Sequence, residues 1–454
     1  MMHCTIGRKA YLALHKGRER GAAPGRCPAK EHGLLYHAYE LQRAWLTSAS
    51  AWASMSAGLL SNPRLPLGYM GLGPAAASAL EVFAHAAAPR GKPEFGIDFV
   101  TVEGARHAVS QSTVVHKPFG DLLRFRREGL SDKAPRLLIV APMSGHYATL
   151  LRGTVERMAE RCEVFITDWA DARMVPTSAG QFDLDDYIDY LIEFLDFIGL
   201  DGNGGRPHMM AVCQPSVPAF AATALMNARK DPFRPATLTL MGGPIDTRKS
   251  PTTVNDLAME RPLSWFRHNV IATVPMTYPG AGRKVYPGFL QLAGFMSMNL
   301  GNHMLSHYEM FKHLTLGDEA SAQATKDFYD EYRSVCDMTA EFYLQTVEEV
   351  FQTHAIPNGT FRHRGELVDL GAIRDTALLA IEGERDDISG IGQTRAALDL
   401  TPGLPATKKL YHLAAGAGHY GIFNGSRWRE KIAPVVEGFI ARHGKGEIAP
   451  ATPA

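Results

Sequence analysis

Short apolar runs alternate with helical patterns through the middle of this chain, and that alternation limits its fold more than any other feature. Leu137–Ala141 (LLIVA) reads as a buried strand and Tyr147–Cys162 as a helix. Val164–Thr167 (VFIT) is the next strand, and Leu184–Ile198 a strongly periodic helix. Met209–Val212 leads into Cys213 and an Ala-rich helix, and Thr237–Met241 (TLTLM) ends at Gly242-Gly243. Repeated strand–helix units bury their apolar faces as a parallel sheet with helices on both sides. Residues 98–127 instead alternate and are rich in β-branched side chains, as antiparallel strands are. From about Ser250 to about Ile373 the pattern turns mostly helical and rich in Met, aromatic residues and His. It resumes with the strand Ala377–Glu382, a helix near Gly392–Leu400, the strand Lys409–Leu413 and a terminal helix, Trp428–His443.

The turn at Cys213 narrows the choice. His208–Met226 (HMMAVCQPSVPAFAATALM) is a strand, a tight turn and a helix. That is the grammar of the nucleophile elbow of α/β-hydrolases, whose usual form is G-x-S-x-G. Ala211 is small enough for the packed turn. Pro215 stands where a Gly is usual, and proline is tolerated in a first helical turn, where its missing N–H has no partner to lose. A thiol at this point meets the positive end of a helix dipole, which favours an anion. The competing reading is a buried structural Cys. The expected fold is α/β, an α/β-hydrolase with a large, mostly helical lid inserted between the sixth and seventh strands.

This architecture needs an acid after a later strand and a His after the last one. Ala377–Glu382 runs into Gly383-Glu384-Arg385-Asp386-Asp387, and Lys409–Leu413 into a small-residue loop ending at Gly418-His419-Tyr420. Asp386 fits the G-x-x-D count from Gly383, and Asp387 is one residue late; Asp387 is expected to hold the following turn through the N–H of Ser389 or Gly390. His419 can take a thiol proton near neutral pH, and a carboxylate on its other nitrogen fixes the tautomer. Cys213, Asp386 and His419 are therefore the expected catalytic set. The expected oxyanion donors are the N–H of Gln214 and that of Met143 or Ser144, in the loop Pro142–Tyr147. His146 in that loop follows the wrong strand to be the base. No substrate-binding residue can be assigned.

Other chemistries find little support. Lys+Arg and Asp+Glu are equal at 47 each, so no basic field draws nucleic acid. Five scattered cysteines suit reduced thiols better than a disulfide framework. No phosphate-binding glycine motif is present. His303 and His307 are four apart, but H-M-L-S-H lacks the Glu a zincin needs, so neither metal nor cofactor is expected. No run of 18 apolar residues is present, so no transmembrane segment is expected.

The chain divides by pattern into a basic extension, 1–33, read as disordered or as a start set too far upstream; a helical segment, 34–95; a first core part, 96–249; the lid, 250–373; a second core part, 374–445; and a tail, 446–454. In the helical segment Leu34, Leu41, Trp45, Trp52, Met55 and Leu59 form one stripe, and no charge occurs from Ala44 to Pro63. The stripe is expected to pack on the chain's own domain, the competing reading being a helix that meets a hydrophobic surface. Within the lid, Trp265, Phe266, Tyr278, Tyr286, Phe289, Phe295, Met296, Met298 and Met304 are expected in part to line an apolar cleft over Cys213.

Several long motifs together resemble the intracellular poly(3-hydroxybutyrate) depolymerases. They are the elbow V-C-Q-P, the loop A-P-M-S-G-H-Y-A-T-L-L-R, T-D-W-A-D-A-R-M-V-P, M-G-G-P-I-D-T-R-K-S-P, Y-P-G-A-G-R-K-V-Y-P-G-F-L-Q, E-G-E-R-D-D-I-S-G and G-H-Y-G-I-F. The resemblance runs from about Leu34 to His443. Polyhydroxyalkanoate synthases differ, with a cysteine elbow resembling G-x-C-x-G. The resemblance implies a cytoplasmic carboxylic ester hydrolase at the surface of polyhydroxyalkanoate storage granules, with Cys213 as nucleophile, His419 as base and Asp386 as acid. It leaves room for a homo-oligomer. The alternative is an acyltransferase of the synthase type, or thiolysis with coenzyme A as acceptor.

Overall fold

The structure is a computed structural model that describes residues 31–444, apart from 63, 65–72, 202–204 and 299. The expected extension lies outside the described residues up to position 30, and the expected tail wholly so.

Nine strands form the main sheet: β1 Phe99–Val102, β2 Ala105–Val115, β3 Gly120–Arg127, β4 Arg136–Val140, β5 Glu163–Trp169, β6 His208–Val212, β7 Thr237–Met241, β8 Ala377–Gly383 and β9 Lys409–Ala414. Their order is β1-β2-β3-β5-β4-β6-β7-β8-β9. The pairs among β1, β2, β3 and β5 are antiparallel, and every neighbour from β5 to β9 is parallel. This is the α/β-hydrolase arrangement. All residues of β5, β6, β7 and β8 are buried. Both faces are covered, so alternation gives way to continuous apolar runs. In β2, which lies outside that zone, no residue is buried.

Helices α3 (Arg152–Ala159), α4 (Leu184–Asp201), α5 (Ser216–Ala228) and α9 (Ala433–His443) flank the sheet. The chain runs outward from β4 to β5, then crosses back to β6 on the other side of β4. Such a reversal leaves a crevice beyond the carboxyl ends of the central strands, where open α/β sheets bind ligands. The Pro142–Tyr147 loop after β4 and Cys213 after β6 both lie at those ends.

Two expected helices are shorter in the structure. Tyr147–Cys162 becomes a 3-10 turn, Ala148–Leu151, followed by α3, and only Ala396–Asp399 is helical within Gly392–Leu400. The insertion falls between β7 and β8, the seventh and eighth strands, because residues 98–127 hold three strands. It includes α6 (Gly288–Met298), α7 (Leu300–Leu316) and α8 (Glu319–Tyr332). It also holds a small antiparallel sheet, Ala272–Thr273, Lys284–Tyr286 and Met338–Thr339, that its helix-rich pattern did not announce.

Before the sheet come α1 (Glu31–Leu60) and α2 (Gly73–Ala87). The stripe expected to pack inward faces outward. Leu41, Trp45, Trp52, Met55 and Leu59 are each more than half exposed, while Tyr36, Ser50, Ala53 and Ala57 are buried. The buried face of α2 is equally small, with Ala77, Ser78, Ala84 and Ala87. Ser50 Oγ donates to the Ala84 carbonyl at 2.8 Å. Short side chains allow the two helices to approach closely, and the large residues of α1 have no room on that side.

Candidate active site

Cys213 has φ of +69°. A non-glycine residue in this left-handed region costs about 1–3 kcal/mol and persists only where the surroundings impose it. Here β6 ends in a sharp turn into α5. The Cys213 N–H donates to the Met241 carbonyl at 2.7 Å, and the Ser216 N–H to the Cys213 carbonyl at 3.0 Å. Small residues on β7's exit make the turn possible. A Cβ on Gly243 would lie 2.0 Å from Ser216 Oγ, and one on Gly242, itself at φ +58°, 2.7 Å from Ile422 Cδ1. Cys213 remains partly exposed, whereas Cys162 and Cys336 are buried.

The other two expected residues converge on it. His419 Nδ1 donates to Asp386 Oδ2 at 2.8 Å, with the imidazole 5% exposed and the carboxylate fully buried. The imidazole also couples electrostatically to Cys213. With Nδ1 taken by the carboxylate, Nε2 is the nitrogen left for the thiol. Burial works against the charged ring, but the charges of Cys213 and Asp386 outweigh it and raise the His419 pKa well above its usual 6.5. The ring is flanked edge-on by Tyr420 and Phe423, with centroids 5.9 and 5.8 Å away.

Asp386 does more than its spacing announced. Its Oδ1 accepts the N–H of Ile388 at 2.9 Å and of Ser389 at 2.8 Å. The turn-holding role expected of Asp387 thus belongs to Asp386, because one carboxylate has an oxygen for each task. Asp387 is exposed, and its charge bears on Tyr332 and Tyr420. Glu382, fully buried at the end of β8, positions the same loop. Its Oε1 accepts the N–H of Thr394 and Arg395 at 2.8 and 2.9 Å. Its Oε2 accepts the Gly392 N–H and the Tyr411 hydroxyl, both at 2.8 Å. Sequence alone places Glu382 only in a strand, although an acidic residue inside an otherwise apolar strand signals a buried carboxylate with hydrogen-bond partners.

The Pro142–Tyr147 loop is pinned at its start, where the Ala141 carbonyl accepts Trp169 Nε1–H at 2.8 Å and the Tyr187 hydroxyl at 3.2 Å. The insertion holds its far end: the Cys336 N–H donates to the Gly145 carbonyl at 2.8 Å, and the His146 ring meets the Tyr332 carbonyl at 3.0 Å. Burial lowers the His146 pKa to about 4. The Met143 N–H donates to Gln214 Oε1 over a long 3.3 Å. Within the described residues no acceptor meets the N–H of Gln214 or of Ser144. Gln214 Nε2 is buried without a partner.

From the insertion, Tyr332 and Gln291 reach this region, and neither was singled out from sequence. Tyr332 bonds Tyr420 with ring centroids 5.8 Å apart, and burial pushes its pKa up to about 12. Gln291 packs against Gly145. The residues expected in part to line the site have these neighbours. Trp265 meets Phe266, Tyr286 stacks on Tyr343, and Phe289 stacks on Tyr39 of α1. Tyr278 donates to Glu40, and Met304 is exposed. The side chains of Phe295 and Met298 lie outside the described set. His303 bonds the Tyr329 hydroxyl at 3.0 Å and His307 packs on the Tyr329 ring. Among the described residues no group of three or more His, Cys, Asp or Glu could hold a metal ion, and no helix is long and apolar enough to cross a membrane.

Residues 242–444 match the family model described as "PHB de-polymerase C-terminus". That stretch contains the insertion, Asp386 and His419, and supports placing the chain in the PHB depolymerase family. No curated protein sequence matches the chain. Among solved structures, the alpha/beta hydrolase GrgF from Penicillium sp. sh18 is 14% identical, covering 74% of this chain and 99% of its own, with a TM-score of 0.46. A thermophilic esterase from Thermogutta terrifontis is 14% identical over 76% of this chain and 97% of its own, with a TM-score of 0.38.

Proposed function

We propose that the chain is a PHB depolymerase, of the family whose model its residues 242–444 match, and that it hydrolyses ester bonds of poly(3-hydroxybutyrate) through Cys213, His419 and Asp386. The observation that carries this is a buried imidazole hydrogen-bonded to a buried carboxylate and coupled to a strained, partly exposed thiol.

In the acylation step His419 Nε2 takes the Cys213 proton as Sγ attacks an ester carbonyl. The new C–S bond gives a tetrahedral oxyanion. The N–H of Gln214 and of Ser144 are free to receive it, and that of Met143 becomes free if it releases Gln214 Oε1. Collapse breaks the C–O bond, and the departing alkoxide takes the proton back from His419. A water then gives its proton to His419 and attacks the thioester. The C–S bond breaks, the acid leaves and the thiolate is reprotonated. Asp386 holds the imidazole in the right tautomer and stabilises its charged form.

The test is to incubate the purified chain with amorphous poly(3-hydroxybutyrate) particles and measure released 3-hydroxybutyrate. Release by the wild type and none by Cys213→Ala supports the reading. Polymer growth from coenzyme A esters, or release only when a thiol acceptor is added, would replace it with acyl transfer.

A further inference from the structure

The outward stripe on α1 has no role in the chemistry. Leu41, Trp45, Trp52, Met55 and Leu59 are 74, 67, 63, 64 and 55% exposed. At 100° per residue they fall within an arc of about 80°, and their row is roughly 27 Å long. The opposite face, with Ser50, Ala53 and Ala57, is buried against α2. Amphipathic helices of water-soluble proteins turn their large apolar residues to the core; α1 does the reverse. The five side chains present on the order of 600 Å² of apolar surface, at the upper end of what a monomer leaves open without a use.

Resting on the function proposed above, we infer that this face of α1 docks the enzyme on the surface of the solid, neutral polyester. Charge decides among occupants. From Ala44 to Leu60 the helix carries no charged residue, whereas helices that lie on anionic lipid surfaces bring Lys and Arg. An uncharged strip with two indoles matches a surface of methyl groups and ester dipoles, since indole combines a large apolar area with one polar N–H. A straight 27 Å row (roughly) also suits an extended surface better than a small molecule. The helix is joined to the candidate active site. The Tyr36 hydroxyl at its start donates to Asp337 at 2.7 Å, Tyr39 stacks on Phe289 at 3.9 Å, and two residues along α6 Gln291 packs on Gly145 of the loop beside Cys213. Docking through α1 therefore holds the polymer surface at a fixed position relative to that loop.

The experiment uses the full chain with Trp45→Ser and Trp52→Ser combined, exposed positions whose loss should leave the melting temperature unchanged. Binding is read in a Cys213→Ala background by co-sedimentation with amorphous poly(3-hydroxybutyrate) particles, so that digestion does not interfere. The double variant should lose at least tenfold in particle binding. In the Cys213 background it should lose a similar factor in particle hydrolysis while hydrolysing p-nitrophenyl butyrate within twofold of wild type. Binding within twofold of wild type overturns the inference. So does tighter binding of the wild type to vesicles with phosphatidylglycerol than to particles. A wild-type dimer that the double variant converts to monomer in sedimentation also overturns it, and makes the face a contact between copies. Failure of the functional reading looks different: particles are bound through Trp45 and Trp52, yet no 3-hydroxybutyrate is released.

Discussion

Replacing Asp386 by Asn tests the candidate site with almost no change in shape. The amide can sit in two ways. In the first, its oxygen keeps the Ile388 and Ser389 N–H groups that Asp386 Oδ1 now accepts, and its NH₂ faces His419 Nδ1. The ring must then carry its proton on Nε2, where it cannot take one from Cys213. In the second, the oxygen faces the ring and preserves the working tautomer, but the NH₂ is pressed against two buried donors. Each unpaired donor costs about 1–3 kcal/mol, so the working arrangement lies about 2–6 kcal/mol above the idle one. At about 1.4 kcal/mol per tenfold, kcat should fall by roughly 30-fold to 10⁴-fold. The idle arrangement keeps every backbone bond, so the melting temperature should move by no more than about 2 °C. Hydrolysis is measured on amorphous particles under single-turnover conditions, and stability by calorimetry. Asp387→Asn is the control and should retain near-normal activity, since the turn bonds rest on Asp386. An Asp386→Asn enzyme within tenfold of wild type, or an inactive Asp387→Asn, would refute the reasoning.

Iodoacetamide on the native protein should label Cys213 well before Cys162 or Cys336, as peptide mapping would read; both of these are buried, and burial pushes the Cys162 thiol up to about 12 and that of Cys336 well above its usual value. Stability should fall as pH drops from about 6.5 to about 4, because burial lowers both His146 and His208 to about 4 while the unfolded chain takes up those protons near 6.5. The sign is fixed: the unfolded state binds more protons in this window, so each ring contributes up to roughly 3 kcal/mol that is present above pH 6.5 and lost on the way to 4. Urea titrations of His208→Asn should show a shallower slope there than wild type, and an unchanged slope would count against the assignment. Glu382→Gln should cost on the order of 2 kcal/mol and lower activity as well, because an amide has one oxygen, so its NH₂ must face either the Gly392 N–H or the N–H groups of Thr394 and Arg395; thermal melts and particle hydrolysis measure both.

What the sequence disclosed and what it hid divide along physical lines. The strand–turn–helix around Cys213 is local, and its small neighbours announce the strained turn before the φ of +69° is seen. Asp386 and His419 could be placed because the ends of parallel strands meet at one edge whatever the loops between them do. The double duty of Asp386 could not, since spacing counts residues and not carboxylate oxygens. Tyr332 and Gln291 come from an insertion whose approach to the Pro142–Tyr147 loop depends on contacts far apart in sequence, and no periodicity encodes those.

The stripe on α1 is the most instructive case. Periodicity reports that large apolar residues share a side but not which side the protein occupies. That sign was set by the residues in between, Ser50, Ala53 and Ala57, whose small size matches Ala77, Ser78, Ala84 and Ala87 on α2. A helix whose small face fits a small-faced neighbour packs closely there and leaves its large face open. The buried contact thus explains the exposed one, and an apolar stripe opposite a stripe of alanine and serine should be tested as a surface before it is counted as core.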